Sequence, residues 1–328
     1  MWFKRLASLG ILGINQRNAN YTLLANPRKN YPLADDKLLT KELAILNGIN
    51  VPELYGLIRH HHELSTVLAI ADKHPHFVVK PSMGSEGEGI LVLTVCDSGF
   101  ERPNGQIISS EDLMHYLSGI LSGLHSLGGQ DDKALVEYKV EVAPVFEHVA
   151  YRGVPDVRII VYRGVPVMSM MRLPTRESNG KANLHQGAIG VGIDLTRGVS
   201  THGVHHNRII TAHPDTNQPI HGITIPYWHT MLDIAARCHD MTKLGYLGVD
   251  VVIDRTLGPM ILEINARPGL SIQVANQAGL SFRLEAVDRN LRHTLTLDER
   301  IRLGQEIADQ CTHTAIEACR QTTQAARP

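Results

Sequence analysis

The run from Gly245 to Gly269, GYLGVDVVIDRTLGPMILEINARPG, constrains the chain more than any other stretch. Val249 to Asp254 is β-branched and apolar, Arg255 to Gly258 is turn-like, and Met260 to Asn265 is apolar again, the signature of a hairpin. If Asp254 and Pro259 flank a four-residue loop, the register sets Asp250 opposite Glu263. Side chains alternate along a strand, so Glu263 and Asn265 share a face. Two carboxylates and an amide then meet in an otherwise apolar hairpin, with Arg267 close behind. A hard divalent cation would neutralise that cluster, and Mg²⁺ (or Mn²⁺) held partly by substrate phosphates fits. The plainer alternative is an exposed hairpin face whose acids are merely solvated.

Length and composition limit the remaining choices. A chain of 328 residues, 43% hydrophobic and 20% charged, has the make-up of a globular protein with room for several subdomains. A net charge of −1 argues against a general nucleic-acid binder. No apolar run reaches the length of a membrane span. The first residues, Met1 to Gly13, are a weak mimic of a signal peptide and lack a cleavage site, so export is not expected. Cys96, Cys238, Cys311 and Cys319 have neither metal-binding nor secretory spacing, which makes a reducing cytoplasm the default.

Along the chain, a short helix and an irregular arm are expected up to Ala34. A helix capped by Asp35 or Asp36 should run to about Asn47, with Leu38, Leu39, Leu43 and Leu46 at helical spacing and Gly48 as its stop. Strands are expected near residues 53–58, 77–80, 90–95 and 135–141, with helices near 63–73 and 111–124. A hairpin follows at 157–162 and 165–172 around Arg163-Gly164. Residues 174–184 read as a mobile loop, 188–195 as a strand, 196–226 as irregular, and Pro226 as the start of a helix to about Leu244. From Ser281 onward the chain is helical, with Leu291, Leu295, Ile301 and Ile307 as apolar positions facing the body or a partner.

Lys80 ends an apolar strand immediately before the loop Ser82-Met83-Gly84-Ser85-Glu86-Gly87-Glu88-Gly89. Backbone N–H groups of such a turn can approach phosphate oxygens, and Lys80 adds a point charge to them. The loop leads into a strand and carries no Gly-Lys-Ser/Thr, so it is not a Walker loop.

Taken in order, these segments resemble the ATP-grasp superfamily of carboxylate–amine ligases, over roughly Leu33 to Gly269. Asp36-Lys37-Leu38 with Gly48-Ile49-Asn50-Val51-Pro52 resembles the first nucleotide-binding lysine and its helix. Val79-Lys80-Pro81 with Gly84, Ser85, Gly87 and Gly89 resembles the second lysine and phosphate lid. Val136 to Val140 resembles the hinge strand. There the resemblance implies that Glu137 accepts from the adenine amino group and that the backbone of Tyr138 to Val140 completes the base contact. Asp156-Val157-Arg158 resembles the strand start whose acid meets the ribose. Asp250, Glu263 and Asn265 match the magnesium ligands.

Asn183-Leu184-His185 is similar to a segment of the RimK-type, α-L-glutamate ligase-like group. The implied fold is α+β, two subdomains clasping ATP at 35–142 and 143–281. A shortened N-terminal arm at 1–34 precedes them and a helical extension at 282–328 follows. The implied activity is an ATP- and Mg²⁺-dependent ligase acting on a small-molecule or peptide carboxylate and an amine, glutamate or another amino acid among them. Lys80, Arg172 and Arg267 would stabilise the reacting groups, with Arg158, Asn183 and His185 toward substrate. A non-catalytic ATP-binding regulatory subunit and a kinase stopping at phosphoryl transfer stay open, as does oligomer formation. Of the eighteen histidines, the runs His60-His61-His62 and His202-x-x-His205-His206 look metal-like but lack structural-zinc spacing, and read as surface histidines.

Overall fold

The computed structural model describes residues 6–84, 87–126, 128–291 and 294–325, with side chains through residue 311 of the last helix. Strands and helices fall into two α+β halves, each with its own antiparallel sheet. The first sheet has six strands, β1 (Leu54–Ile58), β2 (His76–Pro81), β3 (Leu91–Cys96), β4 (Gly99–Glu101), β5 (Ile107–Ile108) and β6 (Ala134–Tyr138), in the order β1-β6-β2-β3-β4-β5. Helix α1 (Lys37–Leu46) buries Ala44 in the core of the second half, whereas α2 (Thr66–Ala71) and α3 (Ser110–Leu121) pack on the first sheet. Phe77, Val79, Leu91, Leu93 and Val136 face α2 and α3 and bury with Val67, Leu113 and Leu117. Lys80, Leu135 and Glu137 therefore project from the opposite face, since successive strand residues alternate.

The second sheet has seven strands: β7 (Asp156–Tyr162), β8 (Val165–Leu173), β9 (Ile189–Asp194), β10 (Val199–His205), β11 (Arg208–Ile210), β12 (Tyr246–Asp254) and β13 (Gly258–Asn265). Their order, β11-β10-β9-β8-β7-β12-β13, puts the β12–β13 hairpin at one edge. One face, with Val157, Ile159, Val249 and Val251, packs on α4 (Trp228–Thr242) through Leu232, Ala235 and Ala236. The other face is divided. Its Ile160, Tyr162 and Tyr246 end is covered by the N-terminal segment, α5 (Ser271–Asn276) and α6 (Ser281–Asn290), and the charged residues lie at the other end. The last helix, α7 (Leu297–Ala325), lies against β8, where Gly304 permits the approach because a Cβ there would sit 2.0 Å from the Pro166 carbonyl oxygen. Ile301 and Ile307 are both buried against the body. No helix among the described residues is long and apolar enough to cross a membrane.

Four local expectations change. The expected short helix is instead a run of helical turns over residues 14–25, and Leu12 and Tyr21 are buried in the second half. Residues 199–210 form the β10–β11 hairpin, with its turn at His206-Asn207, where irregular chain was expected. The loop at 174–184 is fixed at its base: the Thr175 hydroxyl donates to the Gly187 carbonyl at 2.8 Å and the Ser178 hydroxyl accepts from the Thr175 amide at 2.9 Å. Helix α4 begins at Trp228, after Tyr227 in a left-handed conformation with φ 57°.

Candidate functional site

The β12–β13 pairing reaches the expected register by a different route. Asp254 pairs with Gly258, so the loop has three residues, and on that register alone Asp250 would face Leu262. The pairing then shifts by one residue between Asp250 and Val251, which restores Asp250 opposite Glu263. The extra residue on the β13 side is Leu262, half-buried beside Val140, Val252 and Met260.

Register also dictates the charge pattern of the second sheet. Asp250 lies between Arg158 on β7 and Glu263 on β13, and two residues along β7 Asp156 faces Arg172 on β8. Directly opposed side chains in an antiparallel pair are close enough to interact, and here they form bidentate pairs. Arg158 donates to both Asp250 oxygens at 2.7 and 2.6 Å. Arg172 donates to both Asp156 oxygens at 2.6 and 2.5 Å and reaches diagonally to Asp250 Oδ2 at 2.6 Å. Asn265 donates its amide to the same Asp250 oxygen at 3.3 Å, and Glu263 stands 4.0 Å from Arg158. Burial pushes the Asp250 carboxyl up, but the two guanidinium groups outweigh it and hold the group at about 2. For Asp156 burial dominates over the attraction of Arg172, and the Asp250 charge adds to it, leaving the carboxyl at about 6.

The first sheet contributes a second cluster. Glu137, 1% exposed, lies between two ammonium groups: Lys80 at 2.5 Å and Lys41 at 3.2 Å. Burial lowers Lys41 to about 8, against the pull of Glu137 and with a further push from Lys80. Lys37, in the first turn of α1, donates to the Gly84 carbonyl and is pushed down by burial, with Glu263 opposing and Lys80 adding to the shift. Its ammonium thus feels charges from both sheets. The start of α1 is held by Asp36, which caps the Leu38 and Leu39 amides and accepts from the Ser82 hydroxyl at 2.5 Å. The glycine-rich loop is in turn tied by the Met83 amide to the buried Asp132 carboxylate at 3.0 Å. Gly87 and Gly89 have φ of 75° and 74°, a region that favours glycine. Ser85 and Glu86 lie outside the described residues.

The hinge connects the two clusters. The Tyr138 hydroxyl donates to Asp254 at 3.0 Å and the Glu141 amide donates to the same carboxylate oxygen at 2.9 Å, fixing the chain after β6 to the β12–β13 turn. Burial and then that bond push the Tyr138 phenol up to about 12. Val140 packs on Val252 and Met260, so the hinge carries an apolar face beside the Tyr138–Asp254 contact.

Several expected roles meet different partners. Asp250 is already neutralised by two guanidinium groups, where a cation was expected to do so. Its place among the metal ligands would require displacing an N–H contact. Glu263 and Asn265 keep hard-oxygen donors suited to Mg²⁺ or Mn²⁺. Glu137, expected at the adenine, holds two lysines, and Asp156, expected at the ribose, holds Arg172. Arg267, expected at the reacting carboxylate, is half exposed and lies over the Tyr31 ring at 5.2 Å and 3.8 Å from Asp35. Asn183 caps a short turn by accepting from the His185 amide at 2.9 Å, and His185 is exposed.

Three further residues hold the site through contacts that the motifs do not signal. Lys41 lies one helical turn beyond Lys37. Arg17, 7% exposed, donates to the Pro268 and Arg267 carbonyls at 2.7 and 3.2 Å. Asn26 donates to the Tyr246 and Ala266 carbonyls and accepts from the Tyr246 amide. Arg17 and Asn26 fasten the N-terminal segment to the chain leaving the charged hairpin.

Residues 16–289 match the sugar-transfer associated ATP-grasp family. No curated protein matches the chain. Among solved structures, the ATP-grasp ligase PsnB complexed with a minimal precursor is 12% identical, with a TM-score of 0.44, over 84% of this chain and 64% of that one. The chain thus spans less than two thirds of that ligase. D-alanine–D-alanine ligase from Bacillus anthracis is 14% identical, with a TM-score of 0.44, over 91% of this chain and 72% of that one. D-alanyl-alanine synthetase A from Vibrio cholerae O1 is 9% identical, with a TM-score of 0.47, over 87% and 68%.

Proposed function

The chain belongs to the sugar-transfer associated ATP-grasp family, and from that premise we propose that it is an ATP-dependent carboxylate–amine ligase. A carboxylate oxygen of the substrate attacks the γ-phosphorus of ATP as the bond to ADP breaks. An amine nitrogen then attacks the acyl carbon of the resulting acylphosphate, phosphate leaves, and the amine gives up a proton. The observation that carries this reading is a pair of cation sets, one at each sheet, linked by Lys37, which feels Glu263 on β13 as well as Lys80 on β2. Lys80 comes from the first sheet, Lys37 and Lys41 from α1, and Arg158 and Arg172 from the second sheet, against the carboxylates of Glu137, Asp156, Asp250 and Glu263. Five cations against four carboxylates suit a strongly anionic triphosphate.

In this reading Lys37 and Lys80 exchange the Gly84 carbonyl and Glu137 for phosphate oxygens, and Gly84, Ser85, Gly87 and Gly89 offer the loop backbone. The base sits against Tyr138 and Val140. Glu263 and Asn265 would hold a Mg²⁺ or Mn²⁺ ion, with Asp250 completing the set, and the ion would neutralise charge between phosphates. Arg172 and Arg158, fixed in place by Asp156 and Asp250, meet the transferring phosphoryl group and the acyl oxygen. Asn183 and His185 lie toward the substrate side, and Arg267 guards the mouth. The family's link with sugar transfer makes sugar-bearing carboxylates and amines the first substrates to try, with glutamate and other amino acids next. We place the reaction in the cytoplasm.

The test is a screen of carboxylate and amine pairs read by ADP release and product mass. ADP release that requires both partners, with an amide product, is the expected result. Tight ATP binding without turnover in any pair would make the protein an ATP-responsive regulatory subunit. A stable phosphorylated product with no need for an amine would make it a kinase.

A further inference from the structure

A second cluster of ligating side chains lies away from the cleft. Glu177 Oε2 is 2.7 Å from His206 Nε2 and 3.5 Å from His205 Nε2, and the three ligand atoms all fall within 4.8 Å of one another. Neighbours along a strand point to opposite faces, so two adjacent histidines do not ordinarily reach one carboxylate. Here the strand ends between them. His205 pairs with Arg208, leaving His206-Asn207 as a two-residue turn with φ of 48° and 60°, which swings the second imidazole to within 4.1 Å of the first. The carboxylate is equally placed by its surroundings. A Cβ on Gly187 would lie 2.7 Å from the Glu177 carboxyl carbon, so the glycine makes the room Glu177 occupies. The Gly187 carbonyl oxygen is also the 3.0 Å partner of His205 Nε2.

We propose that Glu177, His205 and His206 bind a borderline divalent ion of the zinc class, with water in the fourth position. Two imidazole nitrogens and one carboxylate oxygen suit such an ion and suit Mg²⁺ poorly. Ligands at the usual zinc bond lengths lie about 3.3 Å apart in a tetrahedron, so the gaps between Glu177 and the two rings need little adjustment. On binding, both rings take the tautomer protonated at Nδ1, and His205 exchanges its contact with the Gly187 carbonyl for the ion.

The ion clamps the 174–187 loop to the β10–β11 hairpin. That loop also meets the glycine-rich loop of the cleft, where Gln186 donates to Glu88 at 2.9 Å and Lys181 lies 3.4 Å from the same oxygen. The clamp therefore acts on the loop contacting the phosphate side of the cleft.

Co²⁺ absorption titrated into the full-length protein tests the site. The expected result is one equivalent in a low-symmetry site, competed by Zn²⁺, with affinity reduced at least about tenfold in His206→Ala and in Glu177→Gln. A His60→Ala/His62→Ala protein, which lacks the stacked pair on the other half, should bind as wild type does. No Co²⁺ uptake, equal uptake by all variants, or loss only in the His60/His62 variant would overturn the site. Tryptic cleavage after Arg176 and Lys181 reads the clamp. Zn²⁺ should slow it in wild type and not in His206→Ala, and binding without protection would overturn the clamp.

Discussion

The two charge clusters, one at each sheet, are built from different cations, and the difference is chemical. In the first half Glu137 is shared by two ammonium groups, compact charges on flexible stems that titrate when buried; Lys41 is held at about 8. In the second half the cations are guanidinium groups, locked in planar two-point contacts with Asp156 and Asp250; burial alone would lower Arg172, but the two carboxylates outweigh it and raise it, so the fork stays charged. A lysine can exchange one oxygen partner for another with little rearrangement. An arginine fork gives up two bonds at once. The lysine side is thus suited to receiving a mobile polyphosphate, and the arginine side to holding fixed charges where a reaction needs them.

The contrast can be broken most severely from the arginine side. Arg172→Met leaves Asp156 buried without its partner and removes one of the two cations from Asp250. The expected loss is about 3–5 kcal/mol of folding stability, measured as a shift in urea unfolding. A loss near zero would mean the cluster is open to water. Glu263→Gln should leave folding intact, because Glu263 is partly exposed, yet reduce turnover about 10²–10³-fold. Lys41→Met should lower stability by about 1–3 kcal/mol by leaving Glu137 with Lys80 alone, with no change in the titration of the arginine side.

The smallest effect is a pH slope. The folded state holds a proton on Asp156 up to about 6, above the ordinary value of 3.8. Between those limits it binds more protons than the unfolded chain, so wild type should gain stability relative to Asp156→Asn as pH falls from about 6 to about 4. Urea midpoints at the two ends of that window give the sign, and a flat difference would remove the shift.

What could be read from the sequence follows the same division. Strand alternation and facing registers are local, and they placed Asp250 opposite Glu263 and Lys80 at a strand end. The turn is one residue shorter than the pattern implies and the bulge at Leu262 makes up the difference, a compensation that no local pattern reveals. Lys41 was hidden by reading α1 through its leucines. Leu39 and Leu46 are exposed, whereas Leu38, Lys41 and Ala44 form the buried face. A lysine at that spacing, four residues after Lys37, was the available signal. Partners were harder than positions. Glu137 and Asp156 are where the motif order puts them, but a carboxylate's partner depends on which strand lies beside it. The positions of Arg17 and Asn26 depend on contacts more than 200 residues away, which periodicity does not encode.

The central claim is that the lysine and arginine sides act on one triphosphate. A double-mutant cycle on MgATP affinity, using Lys80→Met, Glu263→Gln and the pair together, tests it by calorimetric titration. If both sides hold the same nucleotide, each single change weakens binding and the pair departs from additivity by more than about 0.5 kcal/mol. Strict additivity, or a substitution on either side that leaves MgATP affinity unchanged, would contradict a shared site.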